Sequence, residues 1–499
     1  MSSHRTSRGS AARTWAAALL ALPLCVPAQN EVDILRYSWT EGGGSIRSLS
    51  MGQSIGALGA DLGNLGDNPA GIGMYRRSDI AINFGVGASR TEAFAPGSPR
   101  GQFQSDPNGQ VSQMGLVLTI PALDPDWPFF TLGVGYQKRA DLNQTIRYTG
   151  APLPASLLSL FRDQANGNPE GALGDLYPFA AGLAWETYLL DPLTGTNDQY
   201  TSAIPADHPV TARKEVERAG QIAETNIVLA ANFKHRLYLG ATLTLPRVYF
   251  TESTRLTETG RPDTLNLYQW NYNEDLTIDG NGVQGRFGLL WAASDWLRIG
   301  AAVTTPGRIA LSDVYSTRMS SRFKTGETYD AASPVNNITY AVRVPGRLQG
   351  SAAFLFGKQG VLTAAYERVD HGGGSLRPRW NSDSDAYDYA FENETAANIL
   401  RVAHNVRLGM EWRIQERFRV RAGVGQEMSP YENTANTQTN AQRNLVSGGF
   451  EYRSEKGYAG IAFRRLTWSE DLSLFGPDNG VFALDRVHTL VLIGGGLRF

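Results

Sequence analysis

Cysteine is all but missing from this 499-residue chain: the single one, Cys25, lies among the first thirty residues. Beyond it no disulfide can brace the fold, so hydrogen bonding and apolar burial must hold it. Charge is sparse at 19% of residues, and its two signs nearly cancel, with 46 Lys and Arg against 48 Asp and Glu. That balance argues against a nucleic-acid partner, because such proteins carry a basic excess. Long apolar runs are absent too, and no stretch beyond residue 28 nears the ~18 apolar residues of a helical membrane span. Histidines are few, and none of His208, His235, His371, His404 and His488 has a second histidine at metal-ligand spacing. No motif nominates a Ser-His-acid set. Gly280-Asn281-Gly282-Val283-Gln284-Gly285 has dinucleotide-binding spacing, but it enters a strand instead of opening a helix. The expectation is a protein that is not an enzyme and carries no metal or cofactor.

Export is written into the first residues. Arg5, Arg8 and Arg13 precede an apolar stretch from Trp15 to Val26, and Val26-Pro27-Ala28 offers small residues ahead of Gln29. That layout predicts a signal peptide over 1–28, since about 12 apolar residues are too few to span a bilayer. Leu24 is too bulky to precede a lipidated Cys25. Cleavage removes the cysteine and three arginines and takes the formal net charge from −2 to −5.

What the chain has in quantity is glycine, 54 residues, and strict alternation. Leu400, Val402, His404, Val406, Leu408, Met410, Trp412 and Ile414 share one face of a strand, with Arg401, Ala403, Asn405, Arg407, Gly409, Glu411 and Arg413 on the other. Phe418, Val420, Ala422 and Val424 likewise alternate with Arg417, Arg419, Arg421 and Gly423. Such segments exceed the 5–6 residues of an average soluble strand and match the 9–11 needed to cross a bilayer at a tilt. Short breaks at 234–236, 294–295, 358–359, 415–416 and 454–456 alternate with long polar connections, the pattern of an outer-membrane barrel. This escapes the low mean hydropathy of −0.27, because only alternate residues need face lipid.

Alternation predicts fourteen strands, near 79–90, 110–121, 129–140, 222–234, 236–256, 281–293, 296–308, 338–357, 359–370, 399–414, 417–428, 442–453, 457–468 and 486–499. The extended stretch 265–280 reads as the outer part of a long hairpin. Trp127, Trp291, Trp296, Trp412, Tyr452, Tyr458 and Trp468 fall near strand ends, where aromatic girdles meet the lipid interface. The fold class is thus an all-β, fourteen-stranded antiparallel transmembrane β-barrel over 79–499, in the outer membrane. The last strand ends in Phe499 with Leu497, Ile493 and Val491 behind it, which resembles the signal read by the barrel-assembly machinery.

Residues 29–78 do not alternate and are dense in glycine. Fourteen strands ~4.8 Å apart and tilted ~40° enclose a backbone diameter of about 28 Å, too wide for wall side chains to fill. A plug is expected there. Ser48-Leu49-Ser50-Met51-Gly52, Gly56-Ala57-Leu58-Gly59-Ala60-Asp61 and Asn68-Pro69-Ala70-Gly71 resemble, in that order, the N-terminal hatch of the FadL/TodX family of outer-membrane transporters.

That resemblance implies a monomeric channel importing long-chain fatty acids or aromatic hydrocarbons. The hydrophobic compound would land in an external groove, enter the barrel and leave sideways into outer-membrane lipid when the hatch shifts. The long, partly helical connection 141–221 offers a groove in Leu157, Phe161, Phe179, Trp185 and Tyr188, or a cap packed on itself. Arg286, Arg298, Arg407, Arg417, Arg419 and Arg421 are expected in the lumen, paired with acids such as Glu411 and Glu451, with the hatch, or with a ligand carboxylate. The same fold could instead serve as a scaffold or shuttle in protein secretion or envelope assembly, and a general porin is disfavoured by the plug.

Overall fold

In a computed structural model the described residues are 31–39, 41, 43–206, 208–259, 265–379, 387–432, 441–476 and 479–499. The expected signal peptide, with Cys25, lies outside them. Fourteen antiparallel strands close into a barrel. They are β1 Asp79–Phe94, β2 Gln102–Pro121, β3 Phe129–Asp141, β4 Val210–Phe233, β5 Leu237–Thr259, β6 Leu267–Ala292 and β7 Leu297–Thr304. The second half comprises β8 Arg347–Phe356, β9 Gly360–Asp370, β10 Val402–Ile414, β11 Phe418–Glu427, β12 Arg443–Arg453, β13 Gly457–Leu472 and β14 Phe482–Arg498. β14 pairs back on β1 from Asp79↔Arg498 to Phe94↔Ala483, so the sheet closes on itself.

Alternation sorts the faces as expected. Ile80, Ile82, Phe84 and Val86 on β1, and Val406, Leu408, Met410, Trp412 and Ile414 on β10, are exposed outward, and every other stave adds to this apolar belt. Trp291, Trp296 and Trp412 lie at its short-turn edge. Trp468 does not join them. It shares parity with the inward residues of β13 and is buried in the lumen, because Ile461 and Phe463 fix the outward face an odd number of positions away.

Several staves run further than alternation indicated. β4 has 24 residues, about 79 Å at ~3.3 Å each, against an apolar band ~25 Å tall. The stretch 265–280 is the upper part of β6, as the hairpin reading had it. β3 resumes at Gln144–Leu153, so the connection expected over 141–221 shortens to 154–209. β7 continues past Thr305-Pro306 as Gly307–Phe323, and β8 is preceded by Asn336–Val344 across Pro345-Gly346. Proline removes one ladder donor without ending the strand, so the expected end near residue 308 falls inside the stave.

The described residues of 31–78 sit inside the barrel: helix α1 Glu31–Ser38, helix α2 Ile46–Ser50, and two 3-10 turns, Leu62–Leu65 and Pro69–Met74. Ile46 and Leu49 pack on Leu490 and Leu492 of β14, and Leu62 and Leu65 on Val117 and Val228. Wall glycines admit the plug. A Cβ at Gly288 would collide with Asn68 Oδ1, and one at Gly423 with the backbone of Gly52.

Candidate functional site

Asn68 locks the plug to the wall. Its amide donates to Gly56 O at 2.8 Å and to Leu289 O of β6 at 3.1 Å, while its Oδ1 accepts from Ala70 N at 3.2 Å. Pro69 opens the 3-10 turn whose missing N–H costs nothing there, and Gly71 fits because a Cβ would meet the Asn64 side chain at 2.6 Å. The lumen arginines complete the lock. Arg286 and Arg298 donate to Leu65 O at 3.2 Å and Leu58 O at 3.0 Å. Arg421 reaches Glu411 at 2.6 Å and Glu451 at 3.1 Å, and Arg47 of the plug shares Glu411 at 3.0 Å. Arg407 pairs with Glu427 at 2.7 Å and Glu367 at 3.5 Å. Arg419 is half-buried nearby, but Arg417 is exposed at the short-turn rim beside the Tyr452 hydroxyl. It precedes the first residue of β11, so its side chain clears the lumen that its parity indicated.

The loop aromatics form a cap. Helix α3 Leu158–Ala165 carries Phe161, 6% exposed, edge-on to Tyr272 and Trp270 of β6. Leu157 packs partly buried on the same cluster, and its N–H donates to Glu258 at 3.0 Å. Trp185, at the end of helix Ala181–Glu186, packs edge-on to Tyr200, and Phe179 lies against Tyr315. Tyr188 is 54% exposed and meets Tyr329 at the surface. Phe161 thus spends its ring on the wall, whereas Tyr188, with the exposed Leu176 and Leu193, leaves apolar surface at the cap's rim.

Against the plug lies a lumen cavity of about 160 Å³, lined by Leu35, Trp39, Phe250, Tyr431 and Trp468, by the arginines 36, 218, 443 and 486, and by the acids Glu41, Asp141 and Glu470. Arg443 is held between the indoles of Trp39, 3.4 Å to the centroid, and Trp468, 4.9 Å, and Arg486 also stacks on Trp468 at 4.6 Å. The pocket therefore offers apolar ring faces beside guanidinium groups. Alternation could not find it. Its residues come from the plug and from staves far apart in sequence, and only the inward parity of Arg443, Trp468 and Arg486 was legible.

Beside this cavity the wall is unzipped. The β2–β3 ladder runs only from Pro121↔Phe129 to Gln113↔Gln137. Above it, Gln102–Ser112 pairs with β1 alone and Gln144–Leu153 with β4 alone. Side chains span the gap: Asn108 donates to Asp141 Oδ2 at 2.7 Å, and Thr145 N to Asp106 Oδ2 at 2.7 Å. A bulge at Arg139 bends β3 just below, and Arg139 lies 3.9 Å from Asp67 of the plug. Behind the gap, Glu41 of the plug ties Arg464 at 3.2 Å and His488 at 2.5 Å. Burial opposes ionisation of Glu41, but His488 and Arg464 outweigh it and hold its pKa well below the usual carboxylate range.

No family model matches the chain, and no curated protein matches it in sequence. Solved structures do. A Pseudomonas aeruginosa FadL homologue superposes with a TM-score of 0.54 at 12% identity, over 93% of this chain and 99% of that one. The deltaS2 mutant of the TodX monoaromatic hydrocarbon channel gives 0.51 at 13% identity, over 92% and 99%. The chain has the FadL fold.

Proposed function

We propose that this chain is an outer-membrane channel importing hydrophobic compounds, long-chain fatty acids or aromatic hydrocarbons, through a plugged barrel that opens sideways between β2 and β3. The observation that carries the reading is the adjacency of three features: an aromatic and arginine pocket, a plug held by polar bonds, and a wall gap. A cavity of about 150 Å³ holds a benzene-sized ligand. The closed pocket thus suits one ring, or the carboxylate end of a chain on Arg443. The rim of the cap at Tyr188, and the cap residues Leu157, Phe179 and Trp185 beneath it, form the landing surface, with Phe161 fixing them to the wall. Glu41 ties the plug beside the gap, so movement of the plug and access to the gap are coupled. Solute then passes without an aqueous pore, and the exit opens at the upper edge of the apolar belt.

Binding of a fluorescent fatty acid and of toluene to the purified chain tests the pocket. Trp39→Ala and Arg443→Gln are expected to weaken at least one of them tenfold, with the barrel still folded. Unchanged affinity for both ligands in both variants sinks the assignment of this pocket.

A further inference from the structure

Five staves around the wall from the β2–β3 gap, the outward surface combines groove and charge. Leu245-Pro246 drop out of the β5–β6 ladder, and Thr305-Pro306 and Pro345-Gly346 drop out opposite each other between the two halves of β7 and β8. The flanking register is kept, with Thr304↔Arg347 below and Gly307↔Val344 above. The pleat is not kept. Inward Thr304 and Ile309 are an odd number of residues apart, as are outward Leu348 and Arg343. The switch brings Arg308 and Arg343, direct cross-strand partners, to the outward face together.

Directly opposed like charges repel, with Cα atoms only ~4.5–5.5 Å apart. Arg308 is anchored by a bond to Pro378 O at 3.1 Å. Arg368 joins the cluster as the cross-strand partner of Leu348 on β9. Among the described residues no carboxylate pairs with Arg343 or Arg368. Immediately below lies an apolar groove of about 520 Å³ between staves, lined by Phe287, Leu289, Val303, Leu348 and Tyr366, within the outward belt. Guanidinium groups above an apolar groove at the edge of the belt match an amphiphile whose head is anionic and whose tail is hydrocarbon.

We propose that the outward face of β7–β9 binds a membrane lipid ending in a phosphate monoester, its head held by Arg308, Arg343 and Arg368 and one acyl chain lying in the groove. The lipid neutralises Arg343 and Arg368 and covers the wall where the proline pair interrupts the ladder. This site is separate from the lumen route.

Native mass spectrometry of the full chain in detergent tests it, with dioleoyl phosphatidic acid against dioleoyl phosphatidylcholine and dioleoylglycerol. Phosphatidic acid is expected to bind at least tenfold tighter than either. Arg343→Gln with Arg368→Gln, both on the surface, should erase that preference, and Leu348→Trp, which fills the groove, should weaken phosphatidic acid binding. Inorganic phosphate at millimolar concentration should not displace the lipid. Equal binding of the three lipids, a preference untouched by the double variant, or displacement by inorganic phosphate overturns the proposal.

Discussion

Asp67 shows what a single carboxylate does in the plug. Burial pushes its pKa up to about 6, against the opposing pull of Arg139, Arg407 and Arg286. Its Oδ2 is buried with no hydrogen-bond partner among the described residues. A raised carboxyl pKa means that the charged form is disfavoured in the folded state. The penalty is absent below the unfolded value near 4 and complete above about 6, so protonation of Asp67 stabilises the seated plug as pH falls from 7 to 5. Asp67→Asn is expected to raise thermal stability at pH 7.5, on the order of 1 kcal/mol, and to remove this residue's share of the pH dependence. Melting curves of the two proteins at pH 7.5 and 5 check it. A variant less stable than the parent at pH 7.5 contradicts the assignment.

At the scale of elements, the staves were legible and their irregularities were not. Alternation located fourteen outward faces because lipid demands an apolar residue at every second position, whatever else a strand does. It ended β7 near residue 308 because the alternation changes phase across Thr305-Pro306, where two prolines face each other and the interruption is shared. It placed Trp468 in the girdle from its position along the strand, where its parity assigns it to the lumen. The plug was legible as glycine density and as the Asn68-Pro69-Ala70-Gly71 turn. Its contacts were not, since Leu289, Gly288 and Arg298 lie more than 200 positions away. Deleting 29–73 removes the lock and should give an ion conductance in planar bilayers that the intact chain lacks. A milder version is Gly288→Leu, whose side chain has no room beside Asn68, with an intermittent conductance expected. Equal conductance in intact and deleted chains contradicts the plug.

At the scale of the whole molecule, composition and architecture explain one another. A mean hydropathy of −0.27 and sparse charge describe a barrel whose lipid-facing half is apolar and whose interior is polar and filled. The projecting staves β4–β7 carry the cap, with Thr317 and Ser321 of β7 donating to Phe179 O and Thr187 O, the plug sits in the lumen, and the β2–β3 gap is the break in the wall next to the pocket. Under the proposed function, hydrophobic solute leaves through that gap. The gap can be stapled without disturbing a native disulfide, because beyond residue 28 the chain has no cysteine. Asn108 and Asp141 already touch across it at 2.7 Å. The decisive measurement is uptake of radiolabelled oleate and toluene by cells displaying the Asn108→Cys, Asp141→Cys chain, oxidised and then reduced. Oxidation is expected to abolish uptake of the transported compound and reduction to restore it, with both single variants active. Uptake that is the same in the oxidised and reduced states, for every compound the parent chain imports, contradicts it.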